Sequence, residues 1–151
     1  IDINKLRGLT LILDNISDPG NLGTIIRSCH WFNVKNIICS ENTVDIYNSK
    51  VIQSSMGSIF SVNVHYTDLF NFFNELDDRY IVYGSFLDGI ACKKVKIDGD
   101  SFLIIGNESN GISESISKFV DKKITIKKFT ENIDSLNAAT ATSILLHEFT
   151  K

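Results

Sequence analysis

Apolar and polar positions along the chain form two alternating kinds of segment. Short runs rich in apolar and β-branched residues predict six strands, at Leu9–Leu13, Asn36–Cys39, Val62–Tyr66, Tyr80–Phe86, Ser101–Ile105 and Lys123–Ile126. Apolar residues at helical spacing predict helices between them, at Leu22–Phe32, Ser49–Phe60, Leu69–Leu76, Ser113–Phe119 and Leu136–Phe149. Because strands and helices alternate, we expect one three-layer α/β domain with a mainly parallel sheet.

The composition narrows the class of protein. The chain has 151 residues, 43% of them hydrophobic and 22% charged, as in an ordinary globular domain. Apolar runs stop short of the roughly 20 residues that a membrane span needs, and no signal peptide opens the chain, so we expect a cytoplasmic protein without a membrane partner. The three cysteines are widely spaced, which argues against a disulfide framework and a zinc site.

The first polar cluster, Asn15 to Arg27, directly follows the first predicted strand. Its Asp-Pro-Gly sequence is typical of a turn, and Asn21 suits the N-cap of the next helix. Gly23 lies inside that helix at a cost of about 1 kcal/mol relative to alanine, so we expect a ligand or a second backbone to approach it closely. Arg27, one turn later, points towards whatever approaches Gly23, although a helical arginine is more often simply solvated.

Two further polar clusters follow later strands. Gly106 and Gly111 bracket a polar loop that contains Glu108. Residues 134–137 lie at the start of the last predicted helix, which Asp134 or Ser135 would cap. Ligands of parallel sheets collect beyond the carboxyl ends of the strands, where all three clusters lie. Each cluster alone is weak evidence, because exposed loop residues often have no function, but their joint occurrence indicates a site.

Together the clusters resemble the three signature motifs of the SpoU (TrmH-like) family of RNA ribose 2′-O-methyltransferases, in the SPOUT superfamily. The first motif is matched at Asn15, Asp18, Pro19, Asn21, Gly23 and Arg27. The second and third are matched at Gly106, Glu108, Gly111, Ser135, Leu136 and Asn137. A weaker fourth match is residues 55–58, Ser-Met-Gly-Ser, and the similarity spans essentially the whole chain.

The resemblance implies an α/β-knot fold, with a deep trefoil knot near the C-terminus, a rare exception among protein folds. It also implies that S-adenosyl-L-methionine is bound in the knot and leaves as S-adenosyl-L-homocysteine. By their places in the motifs, the residues expected to line this cofactor site are Gly106, Ile126, Leu136 and Ala138. The family resemblance further implies a homodimer, with the active site near the interface.

The implied reaction is methyl transfer to a ribose 2′-hydroxyl of tRNA or rRNA, without a metal. Arg27 is the family's catalytic candidate, either as a base or, since an arginine rarely gives up its proton, as a group that grips the RNA phosphate. Asn21 would position Arg27 or the ribose. Glu108 would accept hydrogen bonds that orient the arginine, and Ser135 and Asn137 would complete the pocket.

Some features depart from the family or leave alternatives open. Ile126-Lys127-Lys128 replaces the Ile-Pro-Met of many relatives, and the following loop, residues 129–134, is about one residue longer than in some of them. The net charge of −3 is low for an RNA enzyme, so either RNA contacts are local or a basic N-terminal extension is absent from this chain. The alternative function is a catalytically silent RNA-binding or dimerisation module. A generic nucleotide-binding enzyme is disfavoured because phosphate-loop and dinucleotide motifs are missing.

Several aromatic residues are interpreted as structural. Trp31 and the phenylalanines at positions 70, 72 and 73 are expected in the core or at a dimer interface rather than as platforms for stacked bases.

Overall fold

The computed structural model describes residues 2–97 and 99–151, which form a single six-stranded sheet with the spatial order β3-β2-β1-β5-β4-β6. All neighbouring strands in that order are parallel. The strands are β1 (Leu9–Leu13), β2 (Asn36–Ser40), β3 (Asn63–Thr67), β4 (Ile81–Ala91), β5 (Ser101–Ile105) and β6 (Lys122–Thr125). The predicted α/β class and parallel sheet are confirmed.

In the described part of the chain, four α-helices lie between successive strands and a fifth follows β6. They are α1 (Pro19–Trp31), α2 (Ser49–Ser55), α3 (Leu69–Asn74), α4 (Glu114–Ser117) and α5 (Ala138–Phe149), with short 3-10 turns at Ile3–Lys5, Ser58–Phe60 and Cys92–Lys94. Among the described residues, none of these helices has the length and apolar character needed to cross a bilayer.

The two faces of the sheet are covered by different helices. Residues of β1 alternate strictly: Leu11 and Leu13 face α1, α2 and α5, whereas Ile12 faces α3 and α4. Successive side chains of a strand point to opposite faces, and here both faces of β1 are buried. We call the side covered by α1, α2 and α5 the aliphatic face and the side covered by α3 and α4 the aromatic face, since the second holds Phe72, Phe73, Tyr80 and Phe102.

The first and the last α-helix begin at residues other than those predicted. Helix α1 begins at Pro19 and its N-cap is Asp18, whose Oδ1 accepts the Asn21 backbone N–H at 2.7 Å. The prediction that Asn21 is the N-cap was therefore wrong. Helix α5 begins at Ala138 and is capped by Asn137 rather than by Asp134 or Ser135. In both cases the cap leaves a neighbouring polar side chain free for other contacts.

Other boundaries moved for local reasons. Helix α2 ends at Ser55 because Met56 and Gly57 adopt left-handed conformations, with φ of 50° and 81°, so the expected helix to Phe60 is interrupted. Strand β4 runs on to Ala91, and its pairing with β6 shifts register between Ser85 and Ile90. Such a β-bulge bends the strand locally.

Candidate active site

The carboxyl ends of three central strands lie level with one another. In the register of the sheet, Leu13 of β1 is opposite Cys39 of β2 and Ile105 of β5. The segments that follow these strands therefore emerge side by side. The Asp14 backbone N–H also donates to the Ile105 carbonyl at 2.9 Å, which fixes the first and second polar clusters next to each other.

A chain of three side chains joins all three polar clusters. Asn21 Nδ2 donates to Glu108 Oε1 at 2.5 Å, and Asn137 Nδ2 donates to Asn21 Oδ1 at 2.8 Å. These bonds connect residues 87 and 116 positions apart in the sequence. Asn137 Oδ1 meanwhile accepts the backbone N–H groups of Ala139 and Thr140, so one side chain both caps α5 and holds Asn21. We call Glu108, Asn21 and Asn137 the amide chain.

Arg27 lies on α1, six residues beyond Asn21, and its side chain is exposed. Within residues 2–97 and 99–151 its guanidinium makes no hydrogen bond or ion pair. It lines a shallow groove of about 330 Å³ together with Thr24, Ser28, Trp31 and Phe32. The Glu108 carboxylate accepts a hydrogen bond from Asn21 rather than from Arg27. The predicted contact, in which Glu108 orients the arginine, is therefore not the one observed.

The glycines of the first two clusters serve close backbone packing. A Cβ added at Gly23 would overlap Ser54 Oγ and lie 2.6 Å from the Val51 carbonyl oxygen. Of the two partners expected for Gly23, the structure shows the second backbone, that of α2. A Cβ at Gly106 would overlap the backbone of Gly111 and Ile112, so this glycine is required by the fold of its own loop.

Comparison with known proteins decides the family. Residues 8–147 match the model of the SpoU rRNA Methylase family. The chain belongs to the SpoU rRNA methylase family. Among its relatives, the 23S rRNA (guanosine(2553)-2′-O)-methyltransferase RlmP of Bacillus subtilis is 32% identical over 139 residues, covering 91% of this chain and 56% of RlmP.

Solved structures of the family resemble the fold closely. An RNA methyltransferase of the TrmH family, so described, from Porphyromonas gingivalis has a TM-score of 0.89 at 32% identity, over 95% of this chain and 59% of that one. AviRb, a SpoU methyltransferase from Streptomyces viridochromogenes in complex with AdoMet, has a TM-score of 0.86 at 25% identity, over 99% of this chain and 63% of AviRb. The chain spans about half the length of curated relatives such as RlmP.

The residues expected to line the SpoU cofactor site occupy different environments. Ala138, the first residue of α5, is buried, and Ile126 is half-buried against the aliphatic face. Leu136 is 44% exposed, Gly106 is half-buried, and Ser135 is exposed without a hydrogen bond among the described residues. The structure thus joins Asn137 to the amide chain and leaves Ser135 outside it.

The segment from residue 126 to residue 137 fits a purine-containing ligand in its chemistry. It forms no helix or strand, and several of its backbone N–H and carbonyl groups make no hydrogen bond among the described residues. The Asn137 carbonyl is an exception, because it accepts the Ala141 N–H. Its apolar side chains Phe129, Ile133 and Leu136 are exposed. Ligand pockets typically combine an apolar lining with a few polar backbone groups, and both are present here. No group of three metal-ligating side chains exists among the described residues.

The cysteines take no part in this site. Cys29, Cys39 and Cys92 are all buried. Burial raises the pKa of the Cys39 thiol to about 12 and that of Cys29 further still, because a thiolate is poorly solvated in an apolar core.

Sequence reasoning missed one residue of the site region. Asn107 Nδ2 donates to the Asn15 carbonyl at 2.7 Å, linking the first and second clusters. Its position between Gly106 and Glu108, directly after a strand, was a usable signal, since asparagine side chains commonly bond nearby backbone in turns.

Proposed function

We propose that this protein transfers a methyl group from S-adenosyl-L-methionine to a ribose 2′-hydroxyl of tRNA or rRNA. The observation that carries the proposal is the amide chain, which joins one residue from each of the three motifs. Arg27, which makes no ion pair among the described residues, lies on the same helix as Asn21, six residues later. Membership of the SpoU family supports it, as do the 2′-O activity in the name of RlmP and the AdoMet bound to AviRb.

In this reaction S-adenosyl-L-methionine supplies an electrophilic methyl group. The bond from the methyl carbon to the ribose oxygen forms as the bond from that carbon to sulfur breaks, which leaves S-adenosyl-L-homocysteine, and the hydroxyl proton passes to solvent. To the extent that the proton leaves before the C–O bond is formed, negative charge develops on the ribose oxygen. A neutral hydroxyl is a poor nucleophile, and placement together with charge stabilisation decides the rate. No metal is needed for this displacement.

Arg27 is the group on this chain suited to stabilise that charge. Its guanidinium has several donors in a planar fork that matches phosphate and oxyanion geometry. Because no carboxylate among the described residues occupies it, it is free to bind the RNA phosphate beside the target ribose. We assign it this role rather than that of a base.

The amide chain fixes the start of the helix that carries Arg27. Asn21 is hydrogen bonded on both sides, to Glu108 and to Asn137. The start of α1, the loop after β5 and the segment before α5 are therefore held in one arrangement. The exposed apolar residues of segment 126–137, together with Gly106 and Ala138, would hold the cofactor's adenine.

The course of the C-terminal segment supports a trefoil knot. After β6, at the edge of the sheet, the chain returns to place α5 against α1 and against the 3-10 turn Cys92–Lys94. That turn belongs to the connection between β4 and β5. A chain end lying against a connection formed earlier is the arrangement that threading through it would leave.

A homodimer completes the proposal. Trp31 is 84% exposed and lies in the same groove as Arg27. An exposed tryptophan is costly to leave in water and is typical of interface centres. A second copy packed over α1 would bury Trp31 and bring its own residues close to Arg27.

The test is methylation of total tRNA and total rRNA from a strain that lacks the corresponding gene, with labelled S-adenosyl-L-methionine and mapping of the 2′-O-methyl site. We expect Arg27→Ala to reduce turnover by about 100-fold or more, as for loss of a transition-state contact, with cofactor binding by calorimetry retained. Arg7→Ala, an exposed arginine before β1, is the matched control. Wild-type rates in Arg27→Ala would refute its role, and absence of cofactor binding by the wild type would favour the silent module.

A further inference from the structure

We infer that Asn107 is a positioning residue, which holds the loop after β5 against the loop after β1 so that Glu108 meets Asn21. The inference rests on the proposed methyl transfer for its consequences on activity, and on the hydrogen bonds of this loop for its structural content.

The Asn107 side chain shapes the loop that carries Glu108. Its Oδ1 accepts the backbone N–H of Ser109 at 2.9 Å and that of Asn110 at 3.3 Å. Its backbone N–H and carbonyl pair with those of Gly111, at 3.0 and 2.8 Å. The turn around Glu108 is therefore closed by the residue that precedes it.

The other end of the Asn107 side chain anchors this turn to a fixed point. Nδ2 donates to the Asn15 carbonyl at 2.7 Å. Asn15 adopts a left-handed backbone, with φ of 59°, which is uncommon for a residue other than glycine. Its backbone N–H donates to Ser40 Oγ at 2.8 Å, and its Nδ2 donates to Asp14 Oδ1 at 2.9 Å.

The anchor is itself held from the interior. Asp14 is 2% exposed, and its second carboxylate oxygen accepts the Ser113 backbone N–H at 2.7 Å, immediately before α4. A buried carboxylate needs such donors, because an unpaired one is strongly disfavoured. The Asn15 carbonyl is consequently tied to β1, β2 and α4, and it gives Asn107 a rigid reference.

Glu108 depends on that reference because its own side chain is exposed. In water an exposed glutamate samples many rotamers, and a hydrogen bond to Asn21 holds it only where the backbone already directs it there. Asn107 supplies that direction. Without it, the amide chain loses its Glu108 end while α1 and α5 keep their places.

The first test compares Asn107→Ala with Asn110→Ala, an exposed residue of the same loop whose side chain makes no hydrogen bond among the described residues. We expect kcat of Asn107→Ala to fall about tenfold or more, with KM for RNA and Kd for the cofactor within about threefold, as for a group that acts through geometry. Asn110→Ala should stay within about twofold of wild type. Wild-type kcat in Asn107→Ala would overturn the inference.

Asn107→Asp is a second variant in case the alanine variant unfolds. It keeps the Oδ1 acceptor that closes the turn and loses the Nδ2–H donor to Asn15. We expect it to fold and to lose kcat as the alanine variant does. A wild-type kcat there would show that the link to Asn15 is dispensable.

A double-mutant cycle separates positioning from a general structural role. If Asn107 acts through Glu108, Asn107→Ala added to Glu108→Ala should change kcat by no more than about twofold. Losses that multiply independently would contradict the inference.

A measurement without turnover keeps the inference distinct from the proposed function. In nuclear magnetic resonance spectra, the Asn21 side-chain amide protons should report the bond to Glu108, and Asn107→Ala and Glu108→Ala should shift them alike. Asn110→Ala should leave them in place. If both variants shift these protons but the wild type is inactive, methyl transfer alone is refuted. If the wild type is active but Asn107→Ala leaves these protons in place, the role of Asn107 is refuted.

Discussion

The two faces of the sheet are built from different side chains, which serve different purposes. On the aliphatic face, most buried side chains are leucine, isoleucine, valine and cysteine, with Tyr83 and Phe149 as exceptions. Helix α1 carries Gly23 where it packs closely on α2. On the aromatic face, Phe102 is surrounded by the rings of Phe72, Phe73 and Tyr80, with centroids 5.0 to 6.3 Å away. Small residues bring backbones together, whereas rings fill the space between elements that stay apart.

The difference separates the site from its support. Asn21 and Arg27 lie on α1, and Asn137 caps α5; both helices cover the aliphatic face. Glu108 reaches Asn21 from the loop after β5. None of the expected site residues belongs to the aromatic cluster. We therefore expect substitutions on the aromatic face to change stability and substitutions at the carboxyl edge of the aliphatic face to change turnover.

The largest expected effect is on the aromatic face. Phe102→Ala removes a fully buried ring and should lower the free energy of unfolding by about 3–5 kcal/mol, as for other buried aromatic deletions. Turnover per folded molecule at low temperature should stay within about twofold of wild type. Urea unfolding and single-temperature kinetics measure the two quantities.

Phe70→Ala is the matched control for that variant. Phe70 is 45% exposed and packs edge-on against Phe119, so its loss should cost clearly less. A large fall in turnover for Phe102→Ala, beyond the unfolded fraction, would break the proposed separation of the two faces.

Gly23→Ala should show that the aliphatic face has no room for a larger residue. The added methyl overlaps Ser54 and approaches the Val51 carbonyl, so we expect a cost of about 1–3 kcal/mol as for overpacked cores. Because α1 must shift, turnover should fall as well. Combining it with Ser54→Ala should recover part of the stability, and no recovery would indicate that the Val51 backbone is the decisive obstacle.

Asn137 offers a finer comparison within one side chain. Asn137→Ala removes both the cap of α5 and the bond to Asn21, and should cost about 1 kcal/mol of stability together with a loss of turnover. Asn137→Asp keeps the capping oxygen and loses the amide donor. We expect it to regain stability, by thermal unfolding, without regaining turnover; full activity would show that the bond to Asn21 is unnecessary.

The smallest expected effect is an absence of reaction. With the pKa of Cys39 raised to about 12, its thiolate fraction at pH 8 is about one in ten thousand. A chromogenic disulfide reagent should therefore react with Cys39 only after denaturant is added. Since the thiol of the unfolded chain has its ordinary pKa of 9.0, this group favours the native state less as pH rises from about 9 towards 12, and stability should decline there.

The strands and their parallel arrangement could be predicted, and the pairing of the polar residues could not. Periodicity located β1 and β5 to the residue, because a buried parallel strand is apolar throughout. Asp18 and Asn21 were both plausible caps, and the choice depends on which side chain turns back towards the helix. The partner of Glu108 lies 87 residues away, beyond the reach of any local pattern.

The amide chain also sets when the site comes into being. Asn137 is synthesised 116 residues after Asn21, and the two side chains bind each other across that span. Contacts of such long sequence separation form late in folding, after the intervening polypeptide has been ordered. An unfinished polypeptide on the ribosome therefore lacks Asn137 and with it the closed arrangement around Asn21, so a truncated product has no assembled centre with which to act.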